Sequence, residues 1–154
     1  MKINTLVRFD LNTHICRPLG QVFSFVATPE NDFQWQYGTL TSAQISRGEI
    51  GRGTLFRVLG HLMGRRVETT YEVIVFELNQ RYGFKSVSGQ IDSYTLYAFQ
   101  MAKGGTKINV SIETNPKDVF KPNDDFVVKK FRKEFKENLA MLKMVLETQH
   151  IVKT

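Results

Sequence analysis

The chain has 154 residues, 42% hydrophobic and 23% charged, with a formal net charge of +6. Composition this close to ordinary globular usage excludes a disordered, fibrous or repeat protein, and a chain of this length buries roughly two-thirds of the surface it exposes when unfolded. A single domain over residues 1–154 is expected. No stretch reaches the ~18 to 20 apolar residues that span a bilayer, and the opening residues lack a signal-peptide apolar run, so a cytoplasmic location is expected. The lone cysteine, Cys16, excludes an internal disulfide framework and suits a reducing compartment.

Val7, Phe9, Leu11, Thr13 and Ile15 recur at every second position, the spacing of one face of a strand, which predicts a first strand over Ile3 to Ile15. Pro18 suits the first turn of a helix, and Val22, Phe23, Phe25 and Val26 follow with helical spacing. They predict a short helix from Leu19 to Ala27. A second short helix is expected from about Pro29 to Trp35 or Gln36, with Gly38 ending it. From Thr39 to Asn115 the chain turns to β-branched and aromatic residues. Turn signals at Arg47-Gly48, Gly51 to Gly53, Gly64, Asn79-Gln80, Ser88-Gly89 and Lys103-Gly104-Gly105 divide it into six strands. The clearest alternations are Val67, Thr69, Tyr71, Val73 and Val75 in one strand, and Ile108, Val110 and Ile112 in another. Turns this short join antiparallel neighbours, because parallel strands need crossovers of a dozen or more residues. Beyond Pro116 and Pro122 the period changes again. Val127, Phe131, Phe135, Leu139, Leu142 and Leu146 mark one apolar stripe on a helix of about six turns. One long helix available to cover one sheet makes an α+β layer pair.

This order resembles the helix-grip fold of the SRPBCC, or START-like, superfamily. That superfamily includes START lipid-transfer domains, the birch-pollen allergen family and bacterial polyketide cyclase/dehydrase-like proteins. The resemblance is carried first by Arg17-Pro18, Val22-Phe23-Ser24-Phe25-Val26, Asn31 and Trp35. It continues in Gly51-Arg52-Gly53-Thr54, Gly64-Arg65-Arg66-Val67-Glu68, the strand pair around Phe84 and Gly89, and Gly104-Gly105-Thr106. It implies a curved antiparallel seven-stranded sheet, two short helices after strand one, and a long C-terminal helix over the concave face with a cavity between them. No catalytic motif of the superfamily maps onto these residues, and one fold of this kind hosts many functions.

Candidates for acid–base or metal chemistry are sparse. His14 and Cys16 lie two apart and share a strand face, but two ligands do not make a metal site, and no further His or Cys is near in sequence. His150 falls beyond the helical stripe. His61 sits in a strand that is apolar on both faces and is a candidate polar handle at the cavity. Glu68 and Glu72 share a strand face opposite Val67, Tyr71 and Val75, which points them to solvent. Gly48, Gly51 and Gly53 lie between strands and open no helix, so they make no phosphate cradle. No catalytic residue can be named, and no metal and no cofactor is expected.

Twelve Phe and five Tyr against one Trp supply bulk that either packs a core or lines an apolar cavity. The candidate lining residues are Trp35 from the second short helix, then Phe56, Val58 and His61. Tyr71, Phe84, Tyr97 and Phe99 follow from the later strands, and Phe131, Phe135, Leu139 and Leu142 from the long helix. Tyr71, Tyr82, Tyr94 and Tyr97 offer hydroxyls that could orient a ligand. Three functions are consistent with this set: carriage of an apolar or amphipathic small molecule, polyketide cyclase/dehydrase-like chemistry using cavity Tyr or His residues, or an interaction module. The last would use Lys129, Lys130, Arg132, Lys133 and Lys136, a solvated basic face able to meet anionic membrane surfaces. No aromatic side chains are displayed beside these charges for base stacking, so no nucleic acid is expected. The oligomeric state stays open.

Overall fold

The structure, a computed structural model, describes residues 7–62, 64–115 and 125–148. The expected start of the first strand at residues 3–6, Met63, Pro116, Pro122, His150 and the side chain of Val127 lie outside the described residues. Strand β1 (Val7–Ile15) leads into helix α1 (Leu19–Val26) and a 3-10 turn, Pro29–Gln34. Six strands follow: β2 (Thr39–Gln44), β3 (Leu55–Leu62), β4 (Arg65–Glu77), β5 (Arg81–Gly89), β6 (Asp92–Ala102) and β7 (Gly105–Asn115). Helix α2 runs over Asp125–Thr148. The seven strands form one antiparallel sheet in the order β1-β7-β6-β5-β4-β3-β2. This is the α+β helix-grip architecture.

Two local details depart from the sequence pattern. The second short helix is a 3-10 segment, in which Trp35 N–H donates to the Asp32 carbonyl three residues back at 3.2 Å. Its residues, PENDFQ, carry no apolar stripe that would reward a longer α-helix. In β4 the register against β5 shifts between Thr70 and Tyr71 and again between Val73 and Val75. A bulge inserts one residue and moves the following side chains to the other face. Phe76 therefore joins the core in place of Val75, its ring 5.6 Å from that of Phe23.

The inward face of the sheet changes character along the strands. On β6 and β7 the paired positions run Phe99–Ile108, Tyr97–Val110, Thr95–Ile112 and Ser93–Thr114. At the Phe99 end, Phe23 of α1 packs edge-on against Phe99 at 5.1 Å, and Ile15, Ile108 and Val22 are fully buried. At the opposite end the inward residues are hydroxyls. Close packing is thus reached under α1, where branched and aromatic side chains interdigitate.

Helix α2 buries Phe131, Leu139, Leu142 and Leu146 against the concave face, with Phe135 partly buried. Polar contacts fasten it at two levels. Near its end, Glu147 Oε2 accepts from Lys143 Nζ at 2.7 Å and from the Cys16 amide at 2.8 Å, while an Arg17 guanidinium nitrogen donates to the Glu147 carbonyl at 2.6 Å. Two turns earlier, Asn138 Oδ1 accepts from the Tyr37 amide at 2.9 Å. The long span of sheet beyond the second fastening is left uncovered by α1, and there the site lies.

Candidate functional site

A cavity of about 160 Å³ lies between the sheet and α2. One wall is an aromatic trio supplied by β3, β4 and β5. Phe56 stacks on Tyr71 at 5.2 Å, and Phe84 meets both rings edge-on at 5.1 and 5.0 Å. Trp35 and Tyr97 close a second side with rings 6.4 Å apart. Phe131, Phe135 and Leu139 come from the stripe of α2, and Val58 from β3. His61 also borders the cavity, and its exposure puts it at the rim. Phe99 and Leu142 do not line it. Phe99 belongs to the packed end under α1, against Phe23, and Leu142 is wholly buried.

Several functional-type residues at the cavity carry no signal of their own in the sequence. Asp32, on the 3-10 turn, is buried with its carboxylate accepting from the Ser42 hydroxyl at 3.2 Å. Burial pushes its pKa well above the usual carboxylate range, opposed by that hydrogen bond and helped by the nearby Glu30 charge. Glu134, which faces the cavity from α2, is also raised by burial, with Lys130 opposing and Glu137 adding to it. Gln36, Asn138, Thr69, Ser93, Thr95 and Thr114 complete a polar arc. Ser93, Thr95 and Thr114 could have been read from period two, since they extend the inward alternations of Tyr97 and of Ile108, Val110 and Ile112. Asp32 could not, because the 3-10 turn has no repeating face.

Tyr71, Tyr82 and Tyr97 are weaker acids than usual. Burial raises the Tyr71 hydroxyl even though Ser93 and Thr69 hydrogen-bond to it. Tyr97 and Tyr82 are raised by burial and then by the Asp32 charge. Tyr82 lies behind the wall, its ring stacked on Tyr97 at 6.2 Å.

At the rim the backbones of Gly38 and Gly60 meet, and His61 N–H donates to the Gly38 carbonyl at 2.6 Å. A methyl group on Gly60 would run into that carbonyl oxygen and one on Gly38 into the His61 carbonyl oxygen, so both positions require glycine on spatial grounds.

Elsewhere, His14 Nε2 lies 3.0 Å from the Lys103 carbonyl, and Cys16 Sγ is 4.0 Å from His14 Nδ1 on an exposed surface. Among the described residues no three His, Cys, Asp or Glu side chains gather as a metal site. Glu68 is exposed and pairs with Arg57 at 3.4 Å. Lys129, Lys130, Arg132, Lys133 and Lys136 are all exposed on α2. No helix among the described residues is long and apolar enough to cross a membrane.

An antiparallel seven-stranded sheet holding a long helix across a partly hydroxyl-lined cavity defines a helix-grip protein. The chain belongs to the family described as polyketide cyclase / dehydrase and lipid transport, whose pattern it matches over residues 7–147. No curated protein matches its sequence. Among solved structures it is similar to the protein TTHA0849 from Thermus thermophilus (TM-score 0.77, 16% identity), covering 92% of this chain and 99% of that one. It is also similar to an uncharacterised protein from Rhizobium leguminosarum (0.72, 19% identity, 94% and 96% covered) and to Ara h 8.0201 (0.69, 16% identity, 94% and 99% covered). At these identities the likeness is one of fold.

Proposed function

We propose that the protein binds an apolar or amphipathic small molecule in the cavity between the sheet and α2. The observation that carries this reading is the unequal filling of one interior. Phe23, Ile15 and Leu142 pack tightly at one end, while about 160 Å³ stays open at the other behind Phe56, Tyr71 and Phe84. A space of this size, close to the ~150 Å³ apolar cavity that admits benzene, takes one or two rings or an equivalent branched body. Family membership supports the reading, since lipid transport is part of its description.

The test is uptake of an uncharged fluorescent naphthalene derivative, chosen over sulfonated dyes so that charge plays no part in the result. Saturable binding that Val58→Phe removes from a folded protein supports the reading. Absence of saturable binding in the unmodified protein overturns it.

A catalytic reading, enol chemistry on a polyketone chain, has a best-placed proton donor in Asp32, whose burial favours the protonated form. The raised Tyr71 and Tyr97 hydroxyls and the rim position of His61 fit that role less well. Its mark is turnover lost in Asp32→Asn while binding persists. The five exposed cations on the outer side of α2 support contact with anionic headgroups as a route of delivery.

A further inference from the structure

Two buried polar atoms of cavity-lining side chains have no hydrogen-bond partner among the described residues: Trp35 Nε1 and Glu134 Oε2. Trp35 is only 3% exposed. A buried N–H without an acceptor, or a buried carboxyl oxygen without a donor, costs free energy that a complementary group recovers. The two belong to one neighbourhood. The Tyr37 amide, two residues past Trp35, is bonded to Asn138, which lies one helical turn past Glu134 on the same side of α2.

The charges of the lining point the same way. Asp32 and Glu134 bring carboxyl groups to the cavity, and no Lys or Arg lines it among the described residues. In a chain of net charge +6 the interior thus offers an anion two carboxyl groups and no Lys or Arg among the described residues. A ligand carboxylate entering it would be desolvated with no Lys or Arg beside it to offset its charge, which is strongly unfavourable in a low-dielectric site.

We infer that the cavity selects uncharged ligands that carry a hydroxyl group and rejects carboxylates: the ligand oxygen accepts from Trp35 Nε1–H and its O–H donates to Glu134 Oε2. One hydroxyl is both acceptor and donor, so a single group serves both orphan atoms. With no Lys or Arg in the described lining to compensate it, an anion is disfavoured in the same space, and the aromatic trio holds the ligand's apolar body. Free fatty acids in their ionised form are thereby excluded, whereas alcohols and phenols of matching size are admitted. This inference rests on the cavity binding small molecules at all.

The experiment is calorimetric titration of the full chain at neutral pH with 1-naphthol, 1-methylnaphthalene and 1-naphthoate, which share one ring system. The expected order is 1-naphthol tighter than 1-methylnaphthalene by about tenfold, with 1-naphthoate weaker than 1-naphthol by about 100-fold. Trp35→Phe and Glu134→Leu should each erase most of the hydroxyl advantage while 1-methylnaphthalene still binds. Glu134→Gln, whose amide oxygen still accepts, should keep part of it. Equal binding of 1-naphthol and 1-methylnaphthalene, or 1-naphthoate as tight as either, overturns this selectivity and leaves the binding function standing. Failure of all three compounds to bind overturns both.

Discussion

Glu147 Oε2 receives the backbone amide of Cys16 at 2.8 Å across 131 positions of sequence, and the same oxygen takes Lys143 Nζ at 2.7 Å. The carboxylate thus joins the end of α2 to the corner between β1 and α1. It is held below its ordinary value of 4.5 first by the Lys143 hydrogen bond and then by the Cys16 amide. A carboxylate whose folded-state pKa is depressed contributes stability above its unfolded pKa, and that contribution disappears as the pH falls through the folded value. Glu147→Gln is expected to lower stability by about 1 kcal/mol at neutral pH. Its urea-melt free energy should also fall less steeply than wild type below pH 4.5. Parallel curves for the two proteins would remove Glu147 from the account.

Asp32 has the opposite sign. Its pKa is raised by burial, so its contribution is fully present below the unfolded pKa near 3.8 and is lost as the pH rises through the folded value. Asp32→Asn keeps an oxygen for the Ser42 hydroxyl and cannot ionise. It is expected to stabilise the protein at neutral pH, by about 0.5–2 kcal/mol, and to flatten the stability curve above pH 4. Thermal melts across the pH range check this, and a destabilised variant at pH 8 would contradict it.

The two ends of the interior should respond differently to changes in volume. Phe23→Ala removes a ring packed between Phe99 and Phe76 and is expected to cost about 3–5 kcal/mol. Val58→Phe adds volume where space exists and should leave the melting temperature within a few degrees of wild type while reducing probe affinity at least about tenfold. A large loss of stability in Val58→Phe would mean that its side chain meets packed atoms.

Gly60→Ala places a methyl group against the Gly38 carbonyl oxygen, backbone that cannot turn aside as a flexible side chain would. A loss of about 2 kcal/mol or more is expected from chemical denaturation. Gly51→Ala, with open space at the same position, serves as the control and should change little.

The basic face of α2 should bind vesicles containing anionic lipid at low ionic strength and release them as salt approaches physiological strength, where screening sets in over about 8 Å. Cosedimentation measures this. Salt-independent binding would assign the contact to apolar insertion, for which the exposed Phe126 is the nearest candidate.

The sheet and the long helix were legible because their periods are clean. Ile108, Val110 and Ile112 alternate, Phe131, Phe135, Leu139 and Leu142 step by three or four, and both patterns bury the face they mark. Periodicity gives a face but not how fully the space behind it is filled. Phe99 and Tyr97 share a strand face, yet α1 covers only the first, so one is core and the other borders the cavity. The β4 bulges were illegible for a related reason. Val75 continues the alternation in sequence, and only pairing with β5 hands its place to Phe76. Glu134 was hidden among the charges of a basic helix, although it lies three residues past Phe131 on the same side.

The pairing of β1 along its whole length with β7 also bears on the order of events in folding. The β2 to β7 meander can form from neighbours in sequence, but β1 has no partner until the last strand has been made. The Cys16–Glu147 link closes later still. Such distant contacts lose much chain entropy before any of it is returned, which slows folding relative to a chain of local contacts. During synthesis the first strand must therefore wait, unpaired, for about a hundred residues, at roughly 5–20 residues per second. Its alternating charged face, Arg8 and Asp10 outward in alternation with Val7 and Phe9, protects an edge that is exposed for many seconds.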